Sequence, residues 1–132
     1  MKLTDLAILD WVLINNTPHK IQAIDSIDAE ILADDELYYV GEDRYHSEDK
    51  IEGIPITPEI LEKNRFIKVN SQRYDYGYPD TDCYVKVNPK KNMIHVNGRN
   101  ANSNLYSHSF VHELQRALRC CGLWDIADNF KV

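Results

Sequence analysis

Two histidines four residues apart, His108 and His112, with Glu113 directly after, have the clearest metal-like spacing in this 132-residue chain. On a helix that spacing lets two imidazoles share one ion. Zinc hydrolases, however, place the glutamate after the first histidine, as His-Glu-x-x-His. Here it follows the second, and a third ligand would have to come from elsewhere, His95 being the nearest of suitable type. The pair therefore reads as a polar helix flank, and neither a metal nor any cofactor is assigned.

A second cluster suits recognition rather than catalysis. Tyr74, Tyr76 and Tyr78 alternate with Asp75 and Gly77, which in a strand puts three phenols on one face. Arg73, Lys86, Lys90, Lys91 and Arg99 lie close in sequence. Such a surface can stack a base and pair a phosphate, and Arg73, Tyr74, Tyr76 and Arg99 form the candidate ligand-binding set. Packing competes with this, because tyrosine also favours strands and interfaces.

The other reactive residue types assemble no centre. Cys120 and Cys121 are adjacent, a strained arrangement for a bridge, and Cys83 makes the number odd. Reduced thiols in a cytosol are the better reading, with Cys121 on the buried side of a helix. Ser107 and Ser109 lack the glycines of a nucleophile elbow. Five scattered glycines form no phosphate loop, and Asp80 and Asp82 sit in a Gly-Tyr-Pro turn region that they more naturally shape.

Charge is the strongest signal across the chain. The net charge of -6 conceals 13 acidic against two basic residues from Asp25 to Glu62, a balance of -11. Elsewhere 8 acidic residues face 13 basic ones, a balance of +5. This layout argues against nucleic-acid binding by the whole surface, which needs a net basic footprint. It suits an acidic face meeting a basic partner, or a basic pocket holding a small anion. Asp34, Asp35, Glu42, Asp43, Glu48 and Asp49 are the candidate partner-binding residues.

The elements that must position these groups follow from periodicity and punctuation. Phe110, Leu114, Ala117, Leu118 and Cys121 recur at helical steps, with Ser107 placed as cap and Gly122 as the left-handed residue beyond the end. Leu123 should fold back onto Leu118 in a Schellman ending. Upstream, Leu3 to Leu9 reads as a helical turn or lead-in strand. Trp11 to Ile14 and His19 to Ile24 flank Asn15-Asn-Thr-Pro18 as a hairpin, and Ile27 to Leu32 adds a third strand of a curled, barrel-like meander. Glu42 to Glu52 reads as a surface loop.

Thr57-Pro58-Glu59 starts a short helix ending near Asn64. Phe66 to Val69, Gln72 to Tyr78, Cys83 to Val87 and Met93 to Asn97 are strands, the last two paired across Asn88-Pro-Lys-Lys-Asn92. Asn97 to Asn104 reads as a polar connector, and Trp124, Ile126 and Phe130 as anchors of a docked tail. The fold class is α+β in one domain, residues 1–132: an N-terminal β-meander, a short helix, and antiparallel strands covered by one C-terminal α-helix. An edge of the 72–97 strands could pair with a second copy. No apolar run approaches the roughly 20 residues of a membrane span, and the start of the chain does not resemble a signal peptide.

Three stretches resemble a family of small proteins from phages and mobile elements of Bacteroides-like bacteria. They are Asp10-Trp-Val-Leu-Ile-Asn15 with Pro18-His-Lys20, Ile54-Pro-Ile-Thr-Pro-Glu-Ile-Leu-Glu-Lys-Asn-Arg-Phe66, and Val111-His-Glu-Leu-Gln-Arg-Ala-Leu118. The resemblance implies a hairpin, a helix followed by Gly-Phe, and a closing helix, and brings no catalytic residues. Arg65 stands where that pattern has glycine, so Asn64 is expected to supply the left-handed turn. The resemblance, with the charge map, implies a cytoplasmic, non-enzymatic interaction protein, for counter-defence or host modulation, whose acidic loop engages a basic host or phage protein. The alternative is a binder of a nucleotide or nucleotide signal between the tyrosine strand and basic residues.

Overall fold

The computed structural model describes residues 1–33, 45–77, 84–98, 101–106 and 109–132. The chain is α+β, with two five-stranded antiparallel sheets and a closing helix. It falls into two compact units, Met1–Ile54 and Pro55–Val132.

The first unit begins with a 3-10 turn at Leu3–Asp5, one of the two conformations expected for Leu3 to Leu9. Strands β1 (Trp11–Ile14) and β2 (Thr17–Asp25) pair around Asn15 and Asn16. Both asparagines have positive φ, 52° and 62°, the backbone of a type I′ turn, which they tolerate better than most residues. Strand β3 (Glu30–Ala33) starts later than the sequence suggests, because Asp25 nucleates a turn. Its Oδ1 accepts from the backbone N–H of Ile27 (3.0 Å) and Asp28 (3.2 Å).

Of the expected 42–52 loop, the described part is ordered instead as β4 (Tyr45–Ser47), a 3-10 turn at Glu48–Lys50 and β5 (Ile51–Glu52). Backbone pairing to β3 and β1 holds these strands, and it needs no apolar pattern to signal it. The sheet order is β4-β3-β2-β1-β5, so three residues connect its two edges. Laid flat, the edges would be ~19 Å apart, whereas that connector reaches at most ~14 Å. The sheet must curl, and a register shift between Ile21 and Ala23 helps it do so. Leu3, Leu6, Val12, Ile14, Ile21, Ile31, Ala33 and Ile51 fill the resulting interior.

The second unit opens with α1 (Pro58–Lys63), whose N-cap Thr57 Oγ1 accepts from the Ile60 N–H at 3.3 Å. The left-handed residue after α1 is Arg65 (φ 65°), not Asn64, whose φ is -104°. Phe66 N–H donates to Leu61 O at 3.0 Å and Arg65 N–H to Glu62 O at 3.2 Å, so a full Schellman ending forms without glycine. Asn64 is occupied elsewhere. Its Nδ2 donates to the carbonyls of Ile60 (2.8 Å) and Lys131 (2.7 Å), and its Oδ1 accepts from Lys131 N–H at 2.8 Å.

Strands β6 (Ile67–Lys68), β7 (Tyr74–Gly77), β8 (Tyr84–Asn88), β9 (Met93–Gly98) and β10 (Ala101–Tyr106) form a meander in chain order. Strand β10 corrects the expected 97–104 connector: it pairs with β9 from Ala101↔Gly98 to Tyr106↔Met93. An edge strand needs main-chain partners on one side only, so an asparagine-rich segment with no alternation can serve. The β8–β9 loop forms as expected, with Asn88 Oδ1 accepting from Lys91 N–H at 3.3 Å and Asn92 left-handed.

Helix α2 (Val111–Cys120) lies against β9. It starts later than Ser107, which lies outside the described residues. Phe110 is its N-cap, and Glu113 Oε1 reaches back to accept from the N–H of Phe110 (3.1 Å) and Ser109 (3.2 Å). Leu114, Ala117, Leu118 and Cys121 are buried as the periodicity requires, each leucine contributing about 2 kcal/mol. The end is as expected: Gly122 has φ 78° and Leu123 N–H donates to Leu118 O at 2.9 Å. The tail then forms a further helix, α3 (Trp124–Asp128). Phe130 is buried and Ile126 half-buried, but Trp124 is 56% exposed, with Arg119 over its ring at 5.9 Å.

Candidate functional site

Strand alternation sorts the candidate ligand-binding residues onto two faces of the second sheet. Tyr74 and Tyr76 stand opposite Val87 and Val85, on the packed face. Tyr74 is buried, and the Tyr76 ring lies 5.4 Å from that of Phe66. On the other face Asp75 stands opposite Lys86, and Lys86 opposite His95. Arg73 shares that face and pairs through Nε with Asp75 Oδ1 at 3.1 Å. Arg99 lies outside the described residues.

The outward face is hollowed. A depression of about 240 Å³ is lined by Arg73, Lys86, Val87, Asn88, Met93 and His95. Two permanent cations face the single carboxylate of Asp75, so the floor is net positive before His95 is counted. Asp75 is buried, and its carboxylate lies 3.1 Å from Nε as an ion pair without hydrogen-bond alignment. The terminal N–H groups of the guanidinium form a fork suited to phosphate or carboxylate. Tyr84 stands beside the hollow, with Lys86 Nζ 5.0 Å from its ring centre and the His95 ring 6.1 Å away. Arg73 therefore meets Lys86 and His95, while Tyr74 and Tyr76 point to the other side. The role of His95 in this cluster escaped the sequence reading, although the Asn88–Asn92 loop already set the register that places it against Lys86.

The acidic candidates divide differently. Asp34, Asp35, Glu42 and Asp43 lie outside the described residues. Glu48 is turned inward: its Oε2 accepts from the Leu3 N–H at 3.3 Å and its carbonyl from the Met1 amino group at 3.0 Å. Asp49 is exposed, and the Ser47 hydroxyl donating to its Oδ1 holds its carboxyl below the usual carboxylate range.

His112 is buried with its ring stacked on Phe110 at 5.8 Å, while His95 belongs to the hollow. His108 lies outside the described residues. Among the described residues no group of three His, Cys, Asp or Glu converges. Cys121 Sγ donates toward the carbonyls of Tyr84 and Asn97 at 3.7 Å each, and Cys120 is an exposed free thiol. A second depression, also about 240 Å³, lies where α1 and α3 end, beside Lys63, Arg65 and Lys131. Two helix C-termini carry partial negative charge there, so those cations complement the helix ends. No helix among the described residues is long and apolar enough to cross a membrane. No protein-family model, curated protein or solved structure matches this chain.

Proposed function

We propose that this protein binds a small phosphate-bearing ligand, a nucleotide or nucleotide signal, on the open face of its second sheet. One observation carries the reading: Arg73, Lys86 and His95 converge on one hollow, with Arg73 held in place by Asp75. A phosphate in the hollow would take the guanidinium fork and the Lys86 ammonium together. Nearby Tyr84 offers a π-face to an attached base. The hollow is smaller than a drug-sized pocket of roughly 300 Å³ or more, so the base would lie beside it. Titration calorimetry and thermal shift with nucleoside mono- and diphosphates test this. Binding should stabilise the fold and be lost in Lys86→Glu; no heat and no shift at millimolar ligand would sink the proposal.

A second reading uses the first unit, where 13 acidic residues stand against four basic ones, a balance of -9. There the acidic segment, including Asp34, Asp35, Glu42, Asp43 and Asp49, engages a basic surface of a host or phage protein, while Glu48 is held by the Leu3 N–H. That would be a counter-defence or host-modulating role in the cytoplasm, in keeping with the free thiols. The exposed, firmly ionised Asp49 favours it. A partner recovered by pulldown should detach with salt and with charge reversal at Asp34, Asp35, Glu42, Asp43 and Asp49. A partner indifferent to all of these would exclude it.

A further inference from the structure

The hollow is one end of a longer surface. Core positions on β8 and β9 pair as Val85↔Val96 and Val87↔Ile94, which leaves Tyr84↔Asn97, Lys86↔His95 and Asn88↔Met93 on the outward face. Tyr84, Lys86, Met93, His95 and Asn97 are half-buried, with part of each side chain reaching solvent. The strip from Tyr84 to Asn88 is ~14 Å long. It continues into the hairpin tip, where Lys90 and Lys91 are exposed. Arg73 flanks it from the β7 side. Aromatic, amide and cationic groups thus alternate along one line, while the second unit as a whole carries 8 acidic against 11 basic residues, a balance of +3.

We infer that this open face binds single-stranded nucleic acid, one phosphate seated between Arg73 and Lys86 and the adjoining bases laid along Tyr84, His95 and Asn97. The inference rests on the anion-binding reading above and extends it from one nucleotide to a strand. Three features favour a strand over a duplex. The cations follow a line rather than spreading across a broad patch, which is how a groove tracks one backbone. Tyr84 offers a ring face, which a base inside a duplex cannot reach. The half-buried amide of Asn97 can both donate and accept, as unpaired base edges require. A sheet face of this size stacks about two or three bases.

Fluorescence anisotropy on the full chain, with a labelled single strand of about eight nucleotides, tests the inference beside calorimetry with a nucleoside monophosphate. The strand should bind at least about tenfold tighter than the monophosphate, and tighter than the matching duplex. Tyr84→Ala should weaken strand binding about tenfold with little change in its salt dependence, and Tyr84→Phe should restore it. The double variant Lys90→Glu, Lys91→Glu, at exposed positions that leave the fold intact, should flatten the salt dependence of strand binding and spare the monophosphate. A strand that binds no tighter than the monophosphate, or no tighter than duplex, overturns the inference while leaving the anion site standing. If neither ligand binds, both readings fall.

Discussion

Arg65 adopts a backbone conformation that most L-residues avoid, yet its N–H and that of Phe66 both complete the end of α1. The left-handed region costs a side-chain-bearing residue about 1–2 kcal/mol, partly offset because arginine has less unfolded-state freedom to lose than glycine. Arg65→Gly should therefore raise stability by about 0.5–1 kcal/mol, read as a higher urea midpoint at unchanged slope. Asn64 is the opposite case. Its amide bonds the Lys131 backbone in both directions and also Ile60. In Asn64→Asp a carboxylate oxygen would face two carbonyls, at a loss of about 2–4 kcal/mol. The same variant should expose the segment around Phe130 to proteases, whereas an unchanged melting temperature would show that the three bonds contribute nothing. At Asp49 the Ser47 hydroxyl depresses the carboxyl pKa. In Ser47→Ala an NMR titration should show it rising toward the ordinary carboxylate value. Because the folded-state pKa is depressed, any associated stability is present above the unfolded value and is lost as pH falls through the folded one.

Elements with an apolar face and elements without one differed in how legible they were. Helix α2 was legible because burial of Leu114, Ala117 and Leu118 follows directly from helical spacing, and Gly122 marks its end. No atom lies within 4 Å of a Cβ added at Gly122, so Gly122→Ala tests φ alone. It should destabilise by about 1 kcal/mol, measured by denaturant unfolding. Strands β4, β5 and β10 were not legible, since each is held by hydrogen bonds to a neighbour rather than by an apolar face. Buried Gln115 was equally silent: its Nε2 donates to Ala127 O at 2.9 Å, a carbonyl supplied by a helix that the sequence showed only as an apolar tail.

At the scale of the whole chain, the boundary at Ile54 separates charge of opposite sign, -9 before it and +3 after it. The Debye length reaches about 30 Å at 0.01 M salt, so at low ionic strength the net charge of -6 should slow the association of any anion. Combining Asp28→Asn, Asp49→Asn and Glu52→Gln, all at exposed positions, should speed anion association several-fold at about 10 mM salt. At about 1 M salt the effect should vanish, because screening shortens to about 3 Å. Stopped-flow measurement across that range decides it: an effect that persists at high salt would point to an altered fold instead.

Residue order alone determined the hairpin of β1 and β2, the starts and ends of α1 and α2 to within a few residues, and the segregation of charge. Each of these depends on local backbone preference or on composition, which act over a few neighbours. Which face of the second sheet holds chemistry was decided by tertiary structure. Alternation already separates Arg73 and Asp75 from Tyr74 and Tyr76, but only packing on one side of the sheet buries Tyr74, sets Tyr76 against Phe66 and leaves the cations outside. Lys86 and His95 are nine positions apart in the chain and become neighbours through strand register. Contacts of that kind are set by pairing and burial, which a linear pattern constrains but does not choose.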